Sequence, residues 1–95
     1  MKIACIMMQK NETLLIDPWL RYHTALFGSE HVYVYDNAST DTAVIRTLQN
    51  AETSGVNVFW DYTRQDDFMN KGKIIAGLIK RLDKERPYDF YFPLD

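Results

Sequence analysis

The sequence predicts a three-layer α/β protein built on one parallel β-sheet. Four short runs of apolar, β-branched or aromatic residues alternate with three stretches of helical periodicity. The connections are short, and this alternation of strands and helices is typical of a parallel sheet with right-handed crossovers. With 95 residues and 46% hydrophobic content, the chain can form one small domain with a real core.

The composition argues against several classes of function. Eleven Lys and Arg against 13 Asp and Glu give a net charge of -2, so we expect no nucleic-acid partner. The single cysteine, Cys5, can form neither an intrachain disulfide nor a zinc site alone, and its apolar neighbours favour a buried, unreactive thiol. The longest apolar run, residues 3–8, is far shorter than the ~20 residues that span a bilayer. No signal-peptide pattern accompanies it, so a cytoplasmic location is expected.

The first strand and first helix are predicted in the amino-terminal third of the chain. The uninterrupted apolar run at residues 3–8 suits a central parallel strand. Asp17 and Pro18 then provide a helix cap and a first-turn proline, and Gly28 ends the helix. Four residues with helical spacing are expected to form its apolar side: Trp19, Tyr22, His23 and Leu26.

The second strand, residues 31–35, leads into the segment VYVYDNASTDT at residues 32–42. After the strand stops at Asp36, short polar side chains predict a turn, and Ser39 or Thr40 is expected to cap a second helix that runs to about residue 52. Asp36 is therefore expected at the carboxyl end of a strand, just ahead of a helix. Open parallel sheets bind ligands at this edge.

The remaining elements are a third strand, a third helix and a fourth strand. The third strand is predicted at residues 56–60, after which the polar residues 61–67 lead into a helix that Pro87 ends. The fourth strand covers residues 89–94. One face of the third helix is expected to carry Phe68, Ile75, Leu78, Ile79 and Leu82.

This Rossmann-like topology would bring the carboxyl ends of all four strands to one edge of the sheet. Residues 9–12, Asp36, Asp61 and Asp95 would then lie along that edge. Each aspartate alone is typical of a turn or helix cap. Together, with lysines of a helix N-terminus nearby, they indicate a site for a cation or a sugar phosphate.

Several motifs, taken in order along the chain, resemble a known family. They are Lys10-Asn11-Glu12, Trp19, Tyr22-His23, VYVYDNASTDT and the terminal FPLD. As a set they resemble the amino-terminal half of glycosyltransferases of the family 2 type, which have the nucleotide-diphospho-sugar transferase (GT-A) fold. The resemblance implies that residues 1–95 are the nucleotide-sugar-binding part of a glycosyltransferase domain. The partner would be a nucleotide-diphospho-sugar, whose sugar is transferred to an acceptor hydroxyl.

The resemblance implies a nucleotide-binding role for residues after the first two strands. Asp36 would accept hydrogen bonds from the base, as suits an acceptor-only carboxylate facing an imide or amide N–H. Gln9, Asn11 and Glu12 would flank the same base and the ribose.

The resemblance also implies a site for the phosphates and a metal ion. Lys73, or its neighbour Lys71, would lie near the phosphates, although a solvated lysine fits the sequence equally well. Asp95 matches the first aspartate of a D-x-D motif, which contacts ribose and supports the Mn²⁺ or Mg²⁺ that bridges the phosphates. The second aspartate and the half of the family domain with the acceptor site and general base are not in this sequence. We therefore expect the domain to be truncated at this motif and inactive alone, with no catalytic residue.

Three further expectations follow from the residues themselves. A stand-alone, non-catalytic α/β interaction module is the alternative interpretation. The aromatic fourth strand, with Phe90, Tyr91 and Phe92, would be an exposed edge that self-associates, and Pro93 would limit the pairing. His23, Trp19 and Trp60 are expected to pack in the core.

Overall fold

A four-stranded, all-parallel β-sheet is the centre of the fold in the computed structural model, which describes residues 1–94. Its strands are β1 (Ile3–Gln9), β2 (Val32–Asp36), β3 (Asn57–Phe59) and β4 (Phe90–Leu94), in the spatial order β3-β2-β1-β4. The predicted α/β class and the parallel sheet are confirmed. Asp95 lies outside the described residues.

Helices cover both faces of the sheet. Within residues 1–94 they are α1 (Ile16–Phe27), α2 (Thr42–Thr53), α3 (Gln65–Met69) and α4 (Lys71–Glu85), and a 3₁₀ turn (Ser29–His31) precedes β2. Because successive residues of β1 and β2 point to opposite faces, they build two separate cores. The core beside α1 and α2 contains Cys5, Met7, Ile16, Leu20, Val32, Val34, Val44, Leu48 and Val56. The core beside α4 contains Ala4, Ile6, Met8, Tyr33, Tyr35, Ile75, Leu78, Leu82 and Tyr88.

Helix α1 begins earlier than predicted. It is preceded by Leu15, with no side-chain cap, so the prediction that Asp17 caps the helix was wrong. Pro18 is the third helical residue, where the backbone N–H has no partner within the helix, so the ring interrupts no hydrogen bond there. Asp17 instead accepts a hydrogen bond from the Arg21 side chain, four residues on, at 2.8 Å.

The earlier start changes which residues of α1 are buried. Ile16 and Leu20 are buried, whereas Tyr22 and Leu26 are 64% and 56% exposed. The expected apolar side was therefore wrong at those two positions. His23 is half-buried, and its ring stacks on Trp19 with ring centroids 4.4 Å apart.

Other boundaries differ by one or two residues. Asp41, rather than Ser39 or Thr40, caps α2, because its carboxylate accepts the Ala43 N–H at 2.9 Å. His31 lies in the 3₁₀ turn instead of in β2. Strand β3 is shorter than residues 56–60, and Trp60 after it is half-buried against the core beside α2.

The predicted third helix is two helices. It breaks at Asn70, whose side chain donates to the Asp66 carbonyl at 2.9 Å. Ile75, Leu78 and Leu82 of α4 are buried as expected, and Ile79 is half-buried. Phe68 lies on α3 and is 41% exposed, so its predicted place on the same buried face was wrong.

A buried group of hydroxyls ties the start of β2 to the segment before β4. The Tyr88 hydroxyl lies 2.8 Å from the Tyr33 hydroxyl and 2.8 Å from His31 Nδ1. Tyr88 and Tyr33 are 8% and 3% exposed. Hydrogen bonds at this depth are costly to leave unmade, so the group fixes the position of β4.

None of the helices in residues 1–94 has the length and hydropathy needed to cross a bilayer.

Candidate functional site

A cavity of about 520 Å³ opens at the carboxyl end of β1, and we call it the central cavity. Strand β1 lies between β2 and β4. The chain adds β2 and β3 on one side of β1 and then crosses back to add β4 on the other side, so the strand order reverses at the carboxyl end of β1. Open parallel sheets bind ligands at such a position. The apolar lining is Met7, Met8, Leu15, Trp19 and Phe68; the polar lining is Gln9, Lys10, Glu12, Asn37, Gln65 and Lys71.

Asp36 is buried at the carboxyl end of β2 in a network of hydrogen bonds. Gln9 Nε2 and Ser39 Oγ both donate to its Oδ1 at 2.5 Å, and the Ser39 N–H donates to its Oδ2 at 3.0 Å. Gln9 and Asp36 are direct partners in the β1–β2 ladder, so the parallel register brings these two side chains together. The network joins the loops that follow β1 and β2.

Asp36 borders a second cavity rather than the central one. This second cavity has a volume of about 430 Å³ and lies between α2 and the segment after β3. Ala38, Ser39 and Trp60 are among its other lining residues. Asp36 and its neighbour Asn37 are both 3% exposed, but the Asp36 carboxylate already accepts three hydrogen bonds from the protein. These hydrogen bonds connect the two loops, and a contact of Asp36 with a nucleotide base stays a prediction.

Asn11 fastens the loop after β1 to the loop after β2. Its Oδ1 accepts the backbone N–H groups of Thr40 and Asp41, both at 2.9 Å, and its own N–H donates to Ser39 Oγ at 2.9 Å. Asn11 has a φ of 53° and Ala38 a φ of 61°. Non-glycine residues rarely adopt positive φ, so each of the two loops holds one unfavourable backbone conformation.

Asn37 was not among the residues singled out by sequence reasoning, yet it lines the central cavity. Its Nδ2 donates to the carbonyls of Tyr62 and Arg64, at 2.7 and 2.9 Å. Both amide hydrogens are thereby used, which fixes Oδ1 on the opposite side. None of residues 1–94 donates to that oxygen, so it can accept a hydrogen bond from a ligand. An Asn after a strand-ending Asp, followed by a turn, was the available signal.

Two basic side chains line the central cavity: Lys10, in the loop after β1, and Lys71, the first residue of α4. The Nζ of Lys71 lies 5.1 Å from the centre of the Phe68 ring, a cation–π distance. Lys73, the other candidate for phosphate contact, is exposed and does not line the cavity. Glu12 does line it, and its N–H donates to Gln9 Oε1 at 3.1 Å.

Two pKa shifts limit the chemistry of Cys5 and Asp41. Burial raises the pKa of the Cys5 thiol to about 11, so it stays protonated at neutral pH and is a poor nucleophile. The Thr13 hydroxyl, 2.6 Å from Asp41, and the Ala43 N–H hold the pKa of Asp41 below its ordinary value. Asp41 is therefore a charged helix cap and not a proton donor.

The predicted metal site depends on Asp95 and is not tested by residues 1–94. No group of three or more His, Cys, Asp or Glu side chains in that range could hold a metal ion. Asp61 is exposed and lines neither cavity. Asp95, the predicted metal ligand, lies outside the described residues. The Mn²⁺ or Mg²⁺ site that the resemblance implies therefore stays a prediction.

No family model, curated protein or solved structure matches this chain.

Proposed function

We propose that this chain is the nucleotide-binding part of a glycosyltransferase with the nucleotide-diphospho-sugar transferase fold, and that the central cavity binds the donor's nucleotide diphosphate. The observation that carries the proposal is the position of the cavity. It lies at the carboxyl ends of β1 and β2, where the strand order reverses, and it contains polar side chains from both loops. The family resemblance of the motifs in these same loops supports it.

The base is recognised through a fixed hydrogen-bond acceptor. Asn37 Oδ1 is held by two donated hydrogen bonds and borders the central cavity, so it can accept an imide or amide N–H of the base. Gln9 and Asp36 hold the β2 loop in the conformation that places Asn37 there. Asp36 thus contributes to base binding indirectly, by positioning Asn37. Asn11 contributes in the same indirect way, because from the loop after β1 its Oδ1 holds the loop after β2.

The phosphates are bound by Lys71. Its position at the start of α4, within the cavity lining, puts a positive charge at the cavity wall. An ammonium group that contacts a phosphate typically contributes about 1.5–3 kcal/mol to binding. A bound Mn²⁺ or Mg²⁺ would supply Lewis-acid stabilisation of the leaving diphosphate, but residues 1–94 offer no ligand set for it. The proposal therefore assigns nucleotide binding, and no catalytic step, to these residues.

The test is titration of the ¹⁵N-labelled protein with UDP, GDP and their UMP and GMP counterparts, each with and without Mg²⁺. We expect amide shift changes confined to residues 9–12, residues 37–40 and the start of α4, and larger for the diphosphates. Unchanged spectra with every nucleotide up to 10 mM would overturn the proposal and favour the non-catalytic interaction module.

Two lysines of α4 provide a matched pair of variants. Lys71→Ala should weaken diphosphate binding about tenfold or more, since one charged contact is lost. Lys73→Ala removes the same charge from the same helix but outside the cavity, so its affinity should stay within about twofold of the wild type. Equal losses for the two variants would mean that the effect is one of net charge and not of this site.

A further inference from the structure

The second cavity has no part in the proposed function. Its lining and that of the central cavity have no residue in common. Helix α2 forms one wall, through Gln49 and Glu52, and the segment after β3 forms another, through Trp60 and Thr63. The volume of about 430 Å³ lies within the range of about 300–1,000 Å³ that is common for small-molecule sites.

The charges of the second cavity favour a cation. Asp36 and Glu52 line it, and no Lys, Arg or His of residues 1–94 does. Asp36 is buried and its carboxylate already accepts three hydrogen bonds, so we expect it to contribute negative charge and no direct contact. A phosphate or carboxylate ligand would meet two negative side chains in this lining and no positive one.

Glu52 lies where the helix itself disfavours a negative charge. It is in the last turn of α2, at the partly negative C-terminal end, and this turn contains no basic residue. Trp60 Nε1 donates to both of its carboxylate oxygens, at 3.3 and 3.4 Å. A carboxylate has about four lone-pair positions, so Glu52 can accept further hydrogen bonds. A cation bound beside Glu52 can therefore contact both a carboxylate and an indole ring.

We propose that the second cavity binds the alkylammonium group of a small amine. An ammonium group has three N–H donors and no acceptor. The lining offers three acceptors: the Glu52 carboxylate, the Gln49 side-chain carbonyl and the Thr63 hydroxyl. The side chains of Gln49 and Thr63 make no hydrogen bond within residues 1–94, so both can accept one from a ligand. The Trp60 ring adds a cation–π contact, which is favourable within about 6 Å.

A neutral hydroxylic ligand, such as a saccharide, suits the second cavity less well. Hydroxyl groups need donors as well as acceptors, whereas the carboxylates of Asp36 and Glu52 are acceptors only. A neutral ligand would also leave the negative charge of the lining without a counter-charge. The inference does not depend on the proposed function, because neither a nucleotide nor any residue of the central cavity takes part in it.

Two probes of equal length test the inference on the whole ¹⁵N-labelled chain: putrescine, with two ammonium groups, and butane-1,4-diol, with hydroxyls in their place. The indole N–H signal of Trp60 reports on the second cavity and that of Trp19 on the central one. At constant ionic strength, putrescine should shift the Trp60 signal with a Kd on the order of 1 mM and leave the Trp19 signal unchanged. An unmoved Trp60 signal at about 20 Kd of putrescine, or an equal shift with the diol, overturns the inference.

Glutamates at the ends of two helices separate a local contact from an effect of net charge. Glu52→Gln keeps an oxygen for the Trp60 N–H but removes the charge, so it should weaken putrescine binding at least about tenfold. Glu85→Gln is the matched control, because Glu85 is exposed at the end of α4 and lines neither cavity. Its affinity should stay within about twofold of the wild type. Putrescine binding that Glu52→Gln leaves intact, or that both variants weaken equally, overturns the site.

Discussion

Replacing Asp36 by Asn should destabilise the protein by about 3 kcal/mol. The buried carboxylate accepts three hydrogen bonds, from Gln9 Nε2, Ser39 Oγ and the Ser39 N–H. The asparagine side chain has an oxygen at only one of its two terminal positions. Its NH₂ group would therefore face a donor of the network, and a buried N–H would be left without an acceptor, at a cost of about 1–3 kcal/mol. The bonds that remain also lose the charge that makes them about twice as strong as neutral ones.

Urea unfolding, followed by tryptophan fluorescence and circular dichroism, measures this loss. With a denaturant slope of about 1–1.5 kcal/mol/M, the midpoint should fall by about 2 M. Asp61→Asn is the matched control, since Asp61 also follows a strand but is exposed, and its midpoint should change by less than about 0.5 M. A similar midpoint for the two variants would refute the conclusion that the Asp36 network holds the loops together.

Three further predictions concern groups away from the central cavity. Tyr88→Phe should lower the free energy of unfolding in urea by about 1–3 kcal/mol, because two buried hydrogen bonds are lost. Tyr91→Phe is the control: its hydroxyl makes only long contacts, of 3.3 and 3.5 Å, so the free energy of unfolding should change by less than about 0.5 kcal/mol. The pKa of Asp41 is lowered in the folded state, so its contribution to stability is present above the ordinary value of 3.8 and is lost as the pH falls toward the lower folded value. Asp41→Asn should therefore flatten the fall in melting temperature below pH 4, and an unchanged slope would contradict the assignment. Cys5 should react with a thiol reagent at pH 8 only as fast as the protein unfolds, since it is 1% exposed and burial raises its pKa to about 11. Fast labelling of the native protein would contradict its burial.

The alternation of strands and helices was predictable because it depends on runs of apolar residues that are easy to recognise. Helix boundaries were less predictable. Leu14 and Leu15 carry no capping signal, and the start of α1 at Ile16 is determined by burial of Ile16 against the sheet. The break at Asn70 was also hidden, since Phe68 and Ile75 have the spacing of a single helix.

The location of the candidate site was predictable, but the direction of its side chains was not. Sequence order alone places Gln9, Asn11, Glu12 and Asp36 at one edge of a parallel sheet. Whether Asp36 or its neighbour Asn37 faces the central cavity depends on the turn at residues 36–39, including the positive φ of Ala38. A single sequence does not report that local geometry.

The order of the strands has a consequence for synthesis on the ribosome. Strand β1 pairs with β4, with Ile3 opposite Phe90, so β1 can complete this pairing only after β4 has been synthesised. At about 5–20 residues per second, one side of β1 stays without its neighbour for several seconds. During that time the edge of β1 that β4 later covers keeps unpaired backbone N–H and C=O groups, and such edges tend to pair with other chains. Circularly permuting the chain, so that β4 is translated directly before β1, should remove the delay and speed folding by lowering the contact order.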